Sequence, residues 1–430
     1  MNVSNVRAHG KATLALPVGS TVALCLGIGG ATIGVNVAGT YAVTAIFVCI
    51  AIALTLARHG ISAVIRNWRR IDFLAVAFLG WITLIEMYNA ATLRHTPNMG
   101  SIALWALAYL SSWPARLTVA DERGFIRFAM FFCIPSVLVA AIAIAQMLRL
   151  PGVNELMLQV VRTSGLEQRL AISREIRATS LIGHQIGLGA YLCAVLALLG
   201  GALILGRQQR VKTIRTAAMW VTAFVGQLAT VTFATTALSL AIGLAIAAKV
   251  RVRLWMVTTA LVGIALGWQV FGAFIAQRVD QQAAGSFDSV SQYAWLPETL
   301  GFRVSKWITE TIPAAMHRPM SGWGYGVYES AENGWPVSPS ELSWMSPESE
   351  WLRTLISAGA PGLLLEVLLL LAMLGSVSAK GPSSAHLFPL KVFIAGLLIA
   401  CFIHSHLTGP GVIVALWAIV GAAWGSQRPQ

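Results

Sequence analysis

The chemistry of this sequence is concentrated in its arginines. Arg162, Arg169, Arg174 and Arg177 crowd the approach to an apolar run that begins at Leu181, and Arg278, Arg303, Lys306 and Arg318 lie in a later polar stretch. Guanidinium is permanently charged and pairs bidentately with phosphate oxygens, so such clusters suit a phosphate-like anion. Arginines of an interfacial helix that only touch lipid headgroups would look the same in sequence. Two acids open a further apolar run, Glu348 and Glu350 in Pro347-Glu348-Ser349-Glu350-Trp351. A carboxylate there can cap a helix N-terminus or serve as general base toward a hydroxyl.

Between these groups, Gly301-Phe302-Arg303-Val304-Ser305-Lys306-Trp307 reads as the start of a short helix. Ser321-Gly322-Trp323-Gly324-Tyr325-Gly326-Val327-Tyr328 reads as a glycine turn that permits close backbone approach. No strand precedes it, so it is not a dinucleotide-binding fingerprint. His184, His317, His404 and His406 form no HExxH spacing, and no Ser-His-Asp signature is present. A lone histidine at a membrane edge is more often a hydrogen-bonded structural residue. Cys25, Cys49, Cys133, Cys193 and Cys401 all fall in apolar runs at no metal-ligand spacing. No metal or other cofactor is expected. Glu366 is the one deep ionisable group within an apolar run, with Glu86 nearer an end, and ion-coupled pumps usually need more buried charge.

The elements that must position these residues are membrane helices. Of the 430 residues, 57% are hydrophobic and 11% charged, whereas a soluble domain carries about a quarter charged residues. Apolar stretches run Leu14–Val35, Gly39–Ala57, Phe73–Ala91, Ile102–Val119, Phe128–Met147 and Leu181–Leu205, then Ala217–Phe233, Thr236–Val250, Trp255–Ile275, Trp351–Val377, Leu387–His406 and Val412–Trp424. The pattern predicts an all-α integral membrane protein of about 12 transmembrane helices, a single polytopic domain over residues 1–430. The net charge of +13 is explained by topology rather than by nucleic acid, because no soluble basic domain exists.

Every second loop is basic: Arg7 and Lys11; Arg58, Arg66, Arg69 and Arg70; Arg116, Arg123 and Arg127; Arg207, Arg210, Lys212 and Arg215; Lys249, Arg251 and Arg253; Lys380 and Lys391; and finally Arg428. The positive-inside rule then puts both termini in the cytoplasm. Two long loops face the other side, residues 149–180 and 277–350, the second between spans nine and ten. The arginines in these two loops run against the rule, and long ordered loops are usually functional.

In order and placement these motifs resemble the O-antigen ligase and polysaccharide polymerase family of bacterial inner membranes. The shared elements are Arg177 with Gly183-His184-Gln185 and a Gly/Ala-rich span, the Arg303…Trp307 pair, Gly322-x-Gly324-x-Gly326 with a following aromatic, and a polar pair leading into an aromatic-Leu span with Gly359-x-x-Gly362. The resemblance covers roughly the second half of the chain. It implies a GT-C-like, metal-independent, inverting glycosyltransferase with a periplasmic active site and no cofactor.

On that resemblance, Arg177, Arg303, Arg278 and Arg174 would bind the diphosphate of an undecaprenyl-diphosphate-linked oligosaccharide. His184, Trp307, Gly322, Gly324, Tyr325, Tyr328 and Trp351 would contact substrate. The implied partners are that lipid-linked glycan, the bilayer and a chain-length regulator or flippase. Where the family's ligases carry His-Asn, this chain has Glu348-Ser349, and where many members have Ser-Arg it has Thr235-Thr236. The catalytic base then falls to Glu348, with Glu350 as a substitute, and polymerisation of a surface or secreted polysaccharide is expected over ligation. The alternatives are an O-antigen ligase that moves a finished glycan to another acceptor, and a lipid-linked glycan flippase or other secondary transporter.

Overall fold

The computed structural model describes residues 19–26, 28–29, 40–94, 96–161, 166–171, 177–209, 213–250, 295–327, 341–343, 346–377 and 382–427, with 269, 272–273, 275–277, 279–280 and 339. All regular structure among them is helical. The principal helices are α1 (Thr40–His59), α2 (Arg70–Leu93), α3 (Met99–Thr118), α4 (Glu122–Met147), α5 (Gln185–Gln208), α6 (Ile214–Leu228) and α7 (Phe233–Lys249). There follow α8 (Glu298–Lys306), α9 (Glu350–Ser376), α10 (Phe388–Ala400) and α11 (Pro410–Ser426). Several starts are written in the sequence. The Asp121 carboxylate accepts from the Gly124 N–H at 2.6 Å, and the Asn98 side chain accepts from the Ser101 N–H at 3.3 Å.

Helices α1, α2, α4, α5 and α9 are long and apolar enough to cross a bilayer, and α7, α10 and most of α11 are apolar but shorter. These helices mark the chain as a multi-pass membrane protein. Trp255–Ile275 lies almost wholly outside the described residues. The eleventh predicted span is shorter than hydropathy implied, because α10 stops at Ala400 and 401–409 form a turn. His404 and His406 therefore sit in irregular backbone, not on a helix.

The hub is α5. It packs against α4, α6, α7, α10 and α11, and 94% of its apolar window is buried inside the protein. Glycines let the neighbours approach: a Cβ at Gly201 would lie 2.6 Å from the His386 carbonyl, which is how membrane helices without a hydrophobic driving force gain packing. Helices α3 and α11 approach the same way, with Gly421 against Ser112 and Gly425 against the Val119 and Arg116 carbonyls.

One end of the bundle corrects the reading of Arg116 as a loop charge. Arg116 and Asp72 are both fully buried and pair bidentately, Nη1 to Oδ2 and Nη2 to Oδ1 at 2.9 Å each. The guanidinium lies between Trp113 and Trp424, 4.3 Å from each ring. Nη1 also donates to the Asn67 carbonyl at 3.0 Å, and the Tyr109 hydroxyl to Asp72 at 3.3 Å.

Helix α9 is not a single rod. Gly359 adopts φ 70°, ψ −178°, which breaks the helix. The segment 319–324 fits against the break: the Trp323 N–H donates to the Ile356 carbonyl at 2.8 Å, the Gly324 N–H to Ser357 at 2.9 Å, and the Ala360 N–H to Pro319 at 2.7 Å. The Trp81 indole N–H donates to the Ala358 carbonyl at 2.9 Å. The backbone groups freed by the break are thus satisfied, as a membrane interior requires.

Candidate functional site

At the end of the bundle opposite Arg116, three chain segments converge. The first carries Arg177, just ahead of a short turn (Ser180–Ile182) and α5. Its backbone is pinned by Gln146 at the end of α4, whose side-chain oxygen accepts from the Thr179 N–H at 3.1 Å and the Ser180 N–H at 2.7 Å. The half-buried guanidinium donates to the Thr230 carbonyl at 3.3 Å and the Thr232 hydroxyl at 3.1 Å. Ser180 (φ 47°) and Val231 (φ 45°) flank this cradle in the left-handed region. Such strain costs about 1–3 kcal/mol per residue and persists only where the surroundings over-determine it.

The second segment is α8 with the approach to α9. Arg303 donates from both Nε and Nη2 to one oxygen of Glu348, each at 3.3 Å. The two side chains remain 20% and 18% exposed. Trp307, where α8 passes into a π-helical turn, donates its indole N–H to the Pro347 carbonyl at 2.7 Å. That contact fixes the residue just before Glu348, which itself takes φ 53°.

Glu350 does something else. It is buried, its N–H donates to the Cys401 carbonyl at 2.9 Å, and its Oε2 accepts from the Leu407 N–H at 2.8 Å. It fastens the 401–409 turn, whereas Glu348 is the acid paired with Arg303.

That turn is the third segment. The His404 ring lies 5.6 Å from His184 and 5.6 Å from His406. Its Nδ1 stands 3.8 Å from Glu348 Oε2 and accepts from the Ser405 N–H at 2.8 Å. His184 Nδ1 likewise accepts from the Gly187 N–H at 3.3 Å, capping α5. With Nδ1 an acceptor, the proton of the neutral His404 imidazole sits on Nε2.

Burial, then His406, His184, Arg303 and Arg177, hold the His404 pKa well below the usual imidazole range. Both arginines therefore act on the same ring. His406 is buried, with no partner for either ring nitrogen among the described residues; burial and Arg303 push its pKa down to about 4. In sequence His404 and His406 read as structural residues; the structure sets them in the turn beside Glu348. The available signal was the pair itself, His404-Ser405-His406, at the mouth of a span.

The glycine turn packs against α9 and α2. Gly322 (φ 59°) and Gly324 (φ 93°) let the chain lie on α9, where a Cβ at Gly322 would fall 2.6 Å from the Ser357 backbone. Glu86 on α2 accepts from the Tyr325 N–H at 2.7 Å and the Asn98 N–H at 2.6 Å. Gly322, Gly324 and Tyr325 are thus engaged by α2 and α9. Trp351 is buried with its ring 5.9 Å from Phe402. Thr235 and Thr236 receive the Gln227 side-chain amide at 3.1 and 3.2 Å. Arg174, Arg278 and Tyr328 lie outside the described residues.

No cluster of three or more His, Cys, Asp or Glu side chains able to hold a metal occurs among the described residues. What fold and site define together is a helical multi-pass membrane protein with guanidinium, imidazole and carboxylate groups gathered at one end. No protein-family model matches the chain, and no curated protein matches it.

Proposed function

We propose that this protein is a GT-C-like polymerase of a surface or secreted polysaccharide, with about twelve spans in a bacterial inner membrane and its site on the periplasmic face. The donor is an undecaprenyl-diphosphate-linked glycan and the acceptor a sugar hydroxyl. The observation that carries this reading is that Arg177 and Arg303, from distant parts of the chain, both act on His404 beside Glu348. Two permanent cations and the neutral His404 imidazole beside them match the oxygens of a diphosphate.

In the reaction the acceptor oxygen attacks the anomeric carbon, the bond from that carbon to the diphosphate oxygen breaks, and the hydroxyl proton passes to Glu348. The guanidiniums hold the charge that develops on the leaving diphosphate. Arg303 and Glu348 are paired at 3.3 Å. A diphosphate drawing Arg303 away frees the Glu348 carboxylate, so donor binding switches on the base.

The test is elongation of lipid-linked repeat units by the purified full-length protein. Arg177→Ala and Arg303→Ala are each expected to slow it about 10²–10³-fold, and Glu348→Gln about 10²–10⁴-fold, with the proteins still inserted. Normal polymer from either arginine variant would sink the diphosphate assignment.

A carrier of lipid-linked glycans is the second reading, and the broken α9 with buried Glu366 is what favours it. Lipid movement without elongation in proteoliposomes would select it.

A further inference from the structure

A second polar region lies along the first half of α9, below the anion site. Glu350, Thr354 and Ser357 recur at helical spacing and are 3%, 2% and 0% exposed. They form a polar stripe on an otherwise apolar helix. Beyond the break at Gly359 comes Glu366, fully buried. The Thr354 hydroxyl approaches its carboxyl without closing a well-formed hydrogen bond, and both Glu366 oxygens, the Ser357 hydroxyl and the Tyr325 hydroxyl are buried without a hydrogen-bond partner among the described residues. Tyr325 is buried where Glu366, Arg353, Glu350 and Glu86 all bear on it electrostatically, Glu366 the most strongly of them.

Native proteins rarely leave several buried oxygens unsatisfied together. A bare carboxylate at such depth is expensive and marks a functional group by default. Arg353 is the nearby cation, and Glu350 competes for its charge. The groups bearing on Glu366 are Glu350, Arg353 and Thr354 on its own helix, Tyr325 from the loop and Cys401 from the turn. None of the others adds a positive charge.

We infer that the break in α9 is a binding site for one small monovalent cation, a proton or a sodium ion, held on Glu366 with the Tyr325, Thr354 and Ser357 hydroxyls as oxygen neighbours. Broken membrane helices place such ions where helix ends and side-chain oxygens meet away from lipid. The site uses neither Arg177 nor Arg303 and stands whether the protein is a transferase or a carrier. It is linked to the anion site through Glu350, which shares the Arg353 charge with Glu366 and fastens the turn bearing His404.

The test uses the purified full-length protein in detergent, with sodium chloride exchanged for choline chloride at constant ionic strength. Melting temperature and the infrared band of protonated carboxyls are read at neutral pH for wild type and Glu366→Gln, which imitates the neutralised acid. If the ion is sodium, the wild-type melting temperature rises by several degrees with sodium and that of Glu366→Gln does not. If it is a proton, sodium has no effect, and a protonated-carboxyl band seen in wild type is missing from Glu366→Gln. Should that variant not fold, Glu366→Asp replaces it and is expected to shift the sodium midpoint or the band position. No response to sodium together with no change in the band would mean an ionised Glu366 and overturn the inference. Because elongation is not the readout, failure here is distinct from failure of the transferase reading.

Discussion

The molecule holds two arginine–carboxylate pairs at opposite ends of its bundle, and they are built in opposite ways. Arg116 and Asp72 are fully buried, bidentate at 2.9 Å and enclosed by two tryptophan rings. Arg303 and Glu348 are about one-fifth exposed, share a single carboxylate oxygen at 3.3 Å, and hang the acid on a left-handed residue. A buried pair is saturated because an unpaired charge there would be prohibitive. A partly solvated pair of poor geometry contributes little stability and exchanges partners easily. The first pair is a fastening, and the second is an open pair whose arginine can take another partner.

The comparison breaks most sharply on the buried pair. Arg116→Ala is expected to destabilise the protein by about 3–5 kcal/mol, because Asp72 is left charged and buried. Yield and thermal melting of the detergent-solubilised protein check this; a variant as stable as wild type would remove the distinction between the two ends.

A second test uses acid. The folded pKa of His406 is held at about 4, against 6.5 for a free imidazole. Above pH 6.5 the ring is neutral in both folded and unfolded chains and has no effect. As pH falls toward 4, the unfolded chain binds a proton that the folded one refuses, so stability is lost. The loss reaches about 3 kcal/mol, and His404 adds to it in the same direction. Melting temperature followed from pH 7 to pH 4 should fall, and His406→Phe should flatten the fall. An unchanged slope in that variant would place the acid sensitivity elsewhere.

The smallest effect sharpens the contrast. Arg303→Ala should change stability by less than about 1 kcal/mol, while elongation is lost. A large drop in melting temperature would make this pair structural too.

Much of the fold was legible because lipid admits few solutions. Runs of apolar residues must become helices where no water satisfies the backbone, and helices lie where hydropathy put them at α1, α2, α4, α5 and α9. The arginines were legible for a related reason, since Arg177 and Arg303 fall in long polar stretches of the sequence outside the alternating basic loops. Glu348 and Glu350 were not separable in sequence. They are two residues apart, and only the packing of the 401–409 turn assigns one to Arg303 and the other to Leu407. Arg116 read as an ordinary loop charge because nothing local records that Asp72 and two tryptophans close around it.

Composition and periodicity alone determined that this chain is helical and apolar, and that its unusual charges are arginines placed near span ends, because those properties depend on neighbours a few residues away. The tertiary structure decided which charges are fastenings and which are open. It set His404 and His406 in a turn beside Arg303, broke α9 at Gly359 and buried Glu366 beyond the break. Those outcomes depend on which distant segments share a dielectric environment and which hydrogen bonds they complete, and sequence spacing carries no record of either.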